Sequence, residues 1–140
     1  MKTHELKLRT RYAEIDGMAR VHNSRYLVYF EEARTDLVRV LGYPYAKLEQ
    51  EGVIMPVSEA KLQFKRPLYY DEEMTVQVSI AFIKNYSIKF CYKILCEDGE
   101  LACTGYTIHA ALDRQTLEFT DVPERMREIL EPYLVDESNS

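Results

Sequence analysis

One segment of this 140-residue chain repeats its apolar residues at the period of a helix, and most of the chain beyond it alternates at the period of a strand. Tyr26, Leu27, Phe30, Ala33, Leu37, Val40 and Leu41 make one apolar stripe along a helix predicted from Ser24 to Leu41. Asn23 or Ser24 would cap it, and Gly42 suits a left-handed stop. Before it, "HELKLRTRY" sets His4, Leu6, Leu8, Thr10 and Tyr12 on one face. After it, beyond a short helical turn in "YPYAKLEQEG", the pattern alternates. Ser58, Ala60, Leu62 and Phe64 share a face, as do Met74, Val76, Val78, Ile80 and Phe82. Ile88, Phe90, Tyr92, Ile94 and Cys96 come next, then a turn at "EDGE" and a return strand in "LACTGYTIHAALD". Pro123 opens a short last helix, and "VDESNS" reads as a frayed tail.

Four strands in a row without intervening helices exclude the βαβ alternation of a parallel sheet. The class is α+β: an antiparallel sheet wrapped around one long central helix, a single domain over residues 1–134 with a tail at 135–140. One helix leaves sheet edge uncovered, which predicts a homodimer or homotetramer.

The charge balance narrows function. Eighteen Lys and Arg against 23 Asp and Glu leave a net charge of −5, which speaks against nucleic acid as a partner. No apolar run is long enough for a membrane span and the N-terminus has no secretory signal, so no membrane partner and a cytoplasmic location are expected. Cys91, Cys96 and Cys103 fall in strand-like runs without metal spacing and read as small apolar fillers. His4, His22 and His109 are scattered, so neither a metal nor a cofactor is expected.

The stretch "DGMARVHNSRYLVYFEEAR" raises the functional question. Asp16 stands one short loop before a helix start, where it could be a turn residue, a cap or a catalytic group. The stretch resembles hotdog-fold acyl-CoA thioesterases of the 4-hydroxybenzoyl-CoA thioesterase family, which carry Asp, a Gly-His-Val-Asn-Asn run, Tyr-Leu and an aromatic-Glu-x-Ala-Arg end. "FKRPLYYDEEMTVQVSI" is similar to a second family pattern of Arg-Pro, loop, Asp-Glu and strand. The resemblance implies the hotdog fold and hydrolysis of an acyl-CoA substrate. By position, it makes Asp16 the catalytic carboxylate and sets the Asn23 N–H where the thioester carbonyl is polarised. Val21, Leu27, Glu31, Ala33 and Arg34 match the rest of the motif. His22, Asn23 and Tyr26 would line the substrate. Lys84, with Asn85 and Tyr86, falls in the loop that holds coenzyme A phosphates in some relatives. Three positions depart from the pattern: Ala19 replaces the Gly, Arg20 the His and His22 the first Asn. Ala resists the positive φ that Gly permits.

The chemistry suits one carboxylate. A thiolate with a pKa near ~8.5 leaves without strong protonation. What remains is to deliver oxygen and to hold the oxyanion. A carboxylate does the first as base or nucleophile, and unpaired N–H groups at a helix start do the second. Tyr12, Ile15 and Met18 predict an apolar setting for Asp16. An acyl-carrier-protein thioesterase and a non-enzymatic acyl-CoA binding module remain as alternative functions.

Overall fold

The computed structural model describes residues 2–135. Strand β1 (His4–Arg9) leads through a 3₁₀ turn (Tyr12–Glu14) and the loop that carries Asp16 to a second 3₁₀ turn (Asn23–Arg25). Helix α1 (Tyr26–Val40) and the short α2 (Tyr45–Gln50) come next. The chain continues through β2 (Val53–Ile54), β3 (Val57–Phe64), β4 (Glu73–Ile83), β5 (Ser87–Leu95), β6 (Leu101–Ala110), β7 (Leu112–Asp113) and α3 (Glu124–Leu130). The five long strands make one antiparallel sheet in the order β1-β4-β5-β6-β3, and β2 pairs with β7 apart from it. This is the α+β arrangement of a sheet around one long helix.

The helix lies on the sheet because its apolar residues fall on one side. Tyr26, Tyr29, Phe30, Ala33, Arg34, Leu37 and Val38 are buried. They meet Met74, Val76, Val78 and Ile80 of β4 and Ile88, Phe90, Tyr92 and Ile94 of β5 in one core. Phe30 stacks on Tyr92 with ring centroids 4.2 Å apart. It needs Gly105 beneath it: a Cβ there would sit 2.8 Å from the Phe30 ring and against the Lys61 carbonyl. At the helix end the Gly42 N–H donates to the Arg39 carbonyl and the Tyr43 N–H to that of Val38, with Gly42 at φ +84°. Those two bonds close the last turn through the left-handed residue.

Three expectations need correction. The buried stripe is rotated: Leu27 and Val40 are largely exposed, and Tyr29, Arg34 and Val38 take their place. Edge strand β3 has no buried face, so Ser58, Ala60 and Phe64 are exposed and only Leu62 is half-buried. The helix packs mainly over β1 and β4, and it meets β3 where Tyr26 packs edge-on against Phe64. In β4 a bulge after Ile80 shifts the alternation, so Ala81 is buried and Phe82 only half-buried. The cysteines are free, with Cys96 and Cys103 buried and Cys91 half-buried. Val135, placed in the tail, donates its N–H to the Ile80 carbonyl, and residues 136–140 lie outside the described residues.

Candidate active site

Residues 14–22 form a small hairpin. The Asp16 N–H donates to the Arg20 carbonyl at 2.7 Å and the His22 N–H to the Glu14 carbonyl at 2.9 Å, around a bridge between Ile15 and Val21. Glu14 anchors one arm. It is buried, accepts the Tyr29 hydroxyl at 2.8 Å and the Arg11 N–H at 2.8 Å, and pairs with the Arg11 guanidinium at 3.3 Å. The other arm is tied to the β3–β4 connection by the Val21 N–H on the Leu68 carbonyl and the bridge between Arg20 and Tyr69. The hairpin therefore delivers the chain from Asp16 straight into the start of the helix.

Asp16 is half-buried at the turn of this hairpin. Its Oδ1 accepts two backbone N–H groups, from Met18 at 2.8 Å and Arg20 at 3.3 Å. Among the described residues nothing donates to Oδ2. One oxygen is thus fixed by the backbone and the other is left to act. The left-handed residue is Ala19, at φ +64°, and not Gly17. Ala19 holds the conformation that its side chain disfavours. The apolar setting expected for Asp16 is not made by these neighbours alone, since Tyr12 is 79% and Met18 70% exposed. Tyr12 instead meets Tyr70 edge-on at 5.7 Å, and with Met18 and Tyr69 forms an exposed apolar fringe.

Neither Asn23 nor Ser24 caps α1, whose N-cap position, Arg25, makes no side-chain cap bond. His22 instead caps the 3₁₀ turn that leads into it: its Nδ1 accepts from the Ser24 N–H at 3.1 Å and lies 2.8 Å from the Ser24 hydroxyl. An imidazole nitrogen does here what a short oxygen side chain does in most caps. The Asn23 N–H has no acceptor among the described residues, so an open donor stands at the start of the 3₁₀ turn, one residue past the hairpin that carries Asp16. Tyr26 is core: it is 2% exposed, packs edge-on against Phe64 and Tyr29, and burial raises its hydroxyl to about 12. Lys84 is not brought to this place within one chain. Its ammonium lies over the Phe82 ring at the far end of β4, whose other end adjoins the hairpin. Eleven strand residues span roughly 35 Å.

Sequence reasoning missed a second polar cluster because its members are far apart in the chain. His109 Nδ1 lies 2.9 Å from the Met55 carbonyl, which can only accept, so that nitrogen carries the proton. His109 Nε2 then accepts from the Thr107 hydroxyl at 2.9 Å, Thr107 accepts from the Tyr92 hydroxyl at 2.6 Å, and Tyr92 accepts from Arg34 Nη1 at 3.1 Å. Burial, with Arg34 adding its charge, pushes His109 down to about 4 and keeps it neutral. Arg34 and His109 border a cavity of about 350 Å³ between α1, α2 and the β2–β3 segment. The inward-facing, mixed-polarity runs Tyr92 and Thr107–His109 were the available signal. Among the described residues no group of three His, Cys, Asp or Glu is placed to hold a metal ion, and no helix is long and apolar enough to cross a membrane.

An antiparallel sheet wrapped around one long helix is the arrangement of the hotdog thioesterases. Residues 10–130 match the family model described as the thioesterase-like superfamily, and the chain belongs to that family. It is 31% identical over 118 residues to YneP of Bacillus subtilis (strain 168), named as an inferred acyl-CoA thioesterase, covering 84% of this chain and 86% of the relative. Its fold is similar to that of a DHNA-CoA thioesterase from Staphylococcus aureus, with a TM-score of 0.88 and 28% identity over 94% of this chain and 91% of the other. It is also similar to the protein TT1821 of Thermus thermophilus, with a TM-score of 0.86 and 32% identity over 93% and 98% of the two chains.

Proposed function

We propose that this protein is an acyl-CoA thioesterase in which Asp16 supplies the oxygen chemistry and the Asn23 N–H holds the oxyanion. The observation that carries the reading is the division of labour on the Asp16 carboxylate: Oδ1 holds two amides and Oδ2 is unengaged. A carboxylate fixed at one oxygen keeps its orientation without surrendering the other lone pairs. Oδ2 then takes a proton from water as it attacks the thioester carbonyl, or attacks that carbonyl itself to give an anhydride that water opens. The carbonyl oxygen gains charge in either route. The open N–H at Asn23, at the positive end of α1, stabilises it, and the thiolate leaves. The relatives' names support a coenzyme A thioester as substrate.

The site requires a second chain. The fringe of Tyr12, Met18, Tyr69 and Tyr70 is exposed beside Asp16, and β3 offers an open edge with Val57 and Phe64 half in solvent. Pairing through that edge would cover apolar surface. Lys84 would reach a coenzyme A phosphate near Asp16 only from the partner subunit. His22 supports the 3₁₀ turn before the helix as its cap, and Tyr26 forms the wall behind it.

Thiol release from a panel of acyl-CoA esters tests the reading. Asp16→Asn keeps an oxygen for the Met18 and Arg20 amides while removing the base, so kcat should fall by about 10²–10⁴-fold with an unchanged unfolding midpoint. Near-normal hydrolysis by the pure variant would end the proposal.

A further inference from the structure

The cavity along α1 presents a cation that no described residue neutralises. Arg34 is 8% exposed. Its Nη1 donates to the neutral Tyr92 hydroxyl, the Tyr45 hydroxyl lies beside it, and its Nε is sealed from solvent without any partner. No carboxylate pairs with it among the described residues. A guanidinium carries five donors in a fixed fork, and a buried one is ordinarily matched by an acid. His109 cannot serve as a second donor, because both of its nitrogens are already committed.

The walls say what would fit. Leu48, Ile54, Met55 and Pro56 give one side an apolar lining, and the volume of about 350 Å³ admits a body of a few carbons. Glu31 and Glu49 also border the cavity, and both are exposed, so they stand in water where their fields are screened. They would repel a phosphate dianion more than a monoanion. We propose that this cavity binds a small monocarboxylic acid, with its carboxylate on the Arg34 fork and its short apolar body against Leu48, Ile54, Met55 and Pro56. The place lies roughly 16 Å along α1 from Asn23, eleven helical residues on. Carboxylic acids are the product class of thioester hydrolysis, so occupancy would report product to the enzyme; that link alone rests on the proposed function, and the binding does not.

The test needs no turnover, so it can fail independently of the thioesterase reading. Sodium butyrate is titrated into the ¹⁵N-labelled full chain at constant ionic strength, following the Arg34 Nε–H resonance, with chloride and phosphate as parallel probes. Butyrate should move that resonance saturably, at least tenfold more tightly than chloride, and phosphate should not. The Glu31→Gln, Glu49→Gln double variant should bind butyrate severalfold more tightly. Arg34→Met should abolish binding; if it does not fold, Arg34→Lys, which keeps the charge without the fork, should weaken binding at least tenfold. An equal response to chloride, no saturable response, or a shifted Arg34 resonance in Glu31→Gln without any acid would overturn the proposal. The last result would make Glu31 the missing counter-ion.

Discussion

Two residues are held where their chemistry resists. Ala19 sits at φ +64°, a conformation that costs an L-residue with a Cβ about 1–2 kcal/mol. Glycine would relieve that, offset in part by a gain in unfolded-state entropy. Ala19→Gly should therefore raise stability by up to about 1 kcal/mol, read from the urea midpoint at unchanged m-value. His109 is the second. Its native value of about 4 lies below the unfolded ~6.5, so between those values the unfolded chain binds more protons. Stability is insensitive to this group above pH 6.5, falls as pH drops from 6.5 to 4, and has lost about 3 kcal/mol below that. His109→Gln should flatten this part of the stability-against-pH curve. An equally steep curve in the variant would assign the acid sensitivity to other groups.

At the scale of elements, the contact between α1 and the sheet is set by a size exchange. Phe30 occupies the space that Gly105 leaves empty, and the Lys61 carbonyl closes the other side. Gly105→Ala should destabilise by about 1–3 kcal/mol, since one of the two obstacles is backbone and cannot rotate away. Adding Phe30→Leu should restore only part of the loss. The helix was legible in the sequence because its apolar positions recur over four turns. Its rotation was not. Leu27 and Val40 are as apolar as the residues that are buried, and only the sheet's position decides which flank of the stripe is covered. The cap was hidden for a similar reason: His22 accepts through a ring nitrogen, outside the usual set of short oxygen side chains.

At the scale of the molecule, β3 is an edge of the five-stranded sheet, and all of its side chains but Leu62 are exposed within the single chain. Sedimentation equilibrium should return at least two chains per particle, and hydrolysis should fall on dilution along with the dissociation. A fully active monomer would contradict the need for a second chain at the site. An assembled particle is also what would bring Lys84 to Asp16, which strand length forbids within one chain.

Local pattern alone determined the order of the long elements, the antiparallel sheet around one helix, and the placement of Asp16 one loop before the helix start, and it passed over the short strands β2 and β7. Those come from periodicity and turn chemistry, which act between near neighbours. Tertiary structure alone decided that Asp16 shares its load between two amides and a free oxygen. It also decided that Arg34, on the helix, meets Tyr92, Thr107 and His109 on two strands. Arg34 and Tyr92 stand 58 positions apart in the chain. Folding brings them together, and no spacing along the chain encodes that meeting.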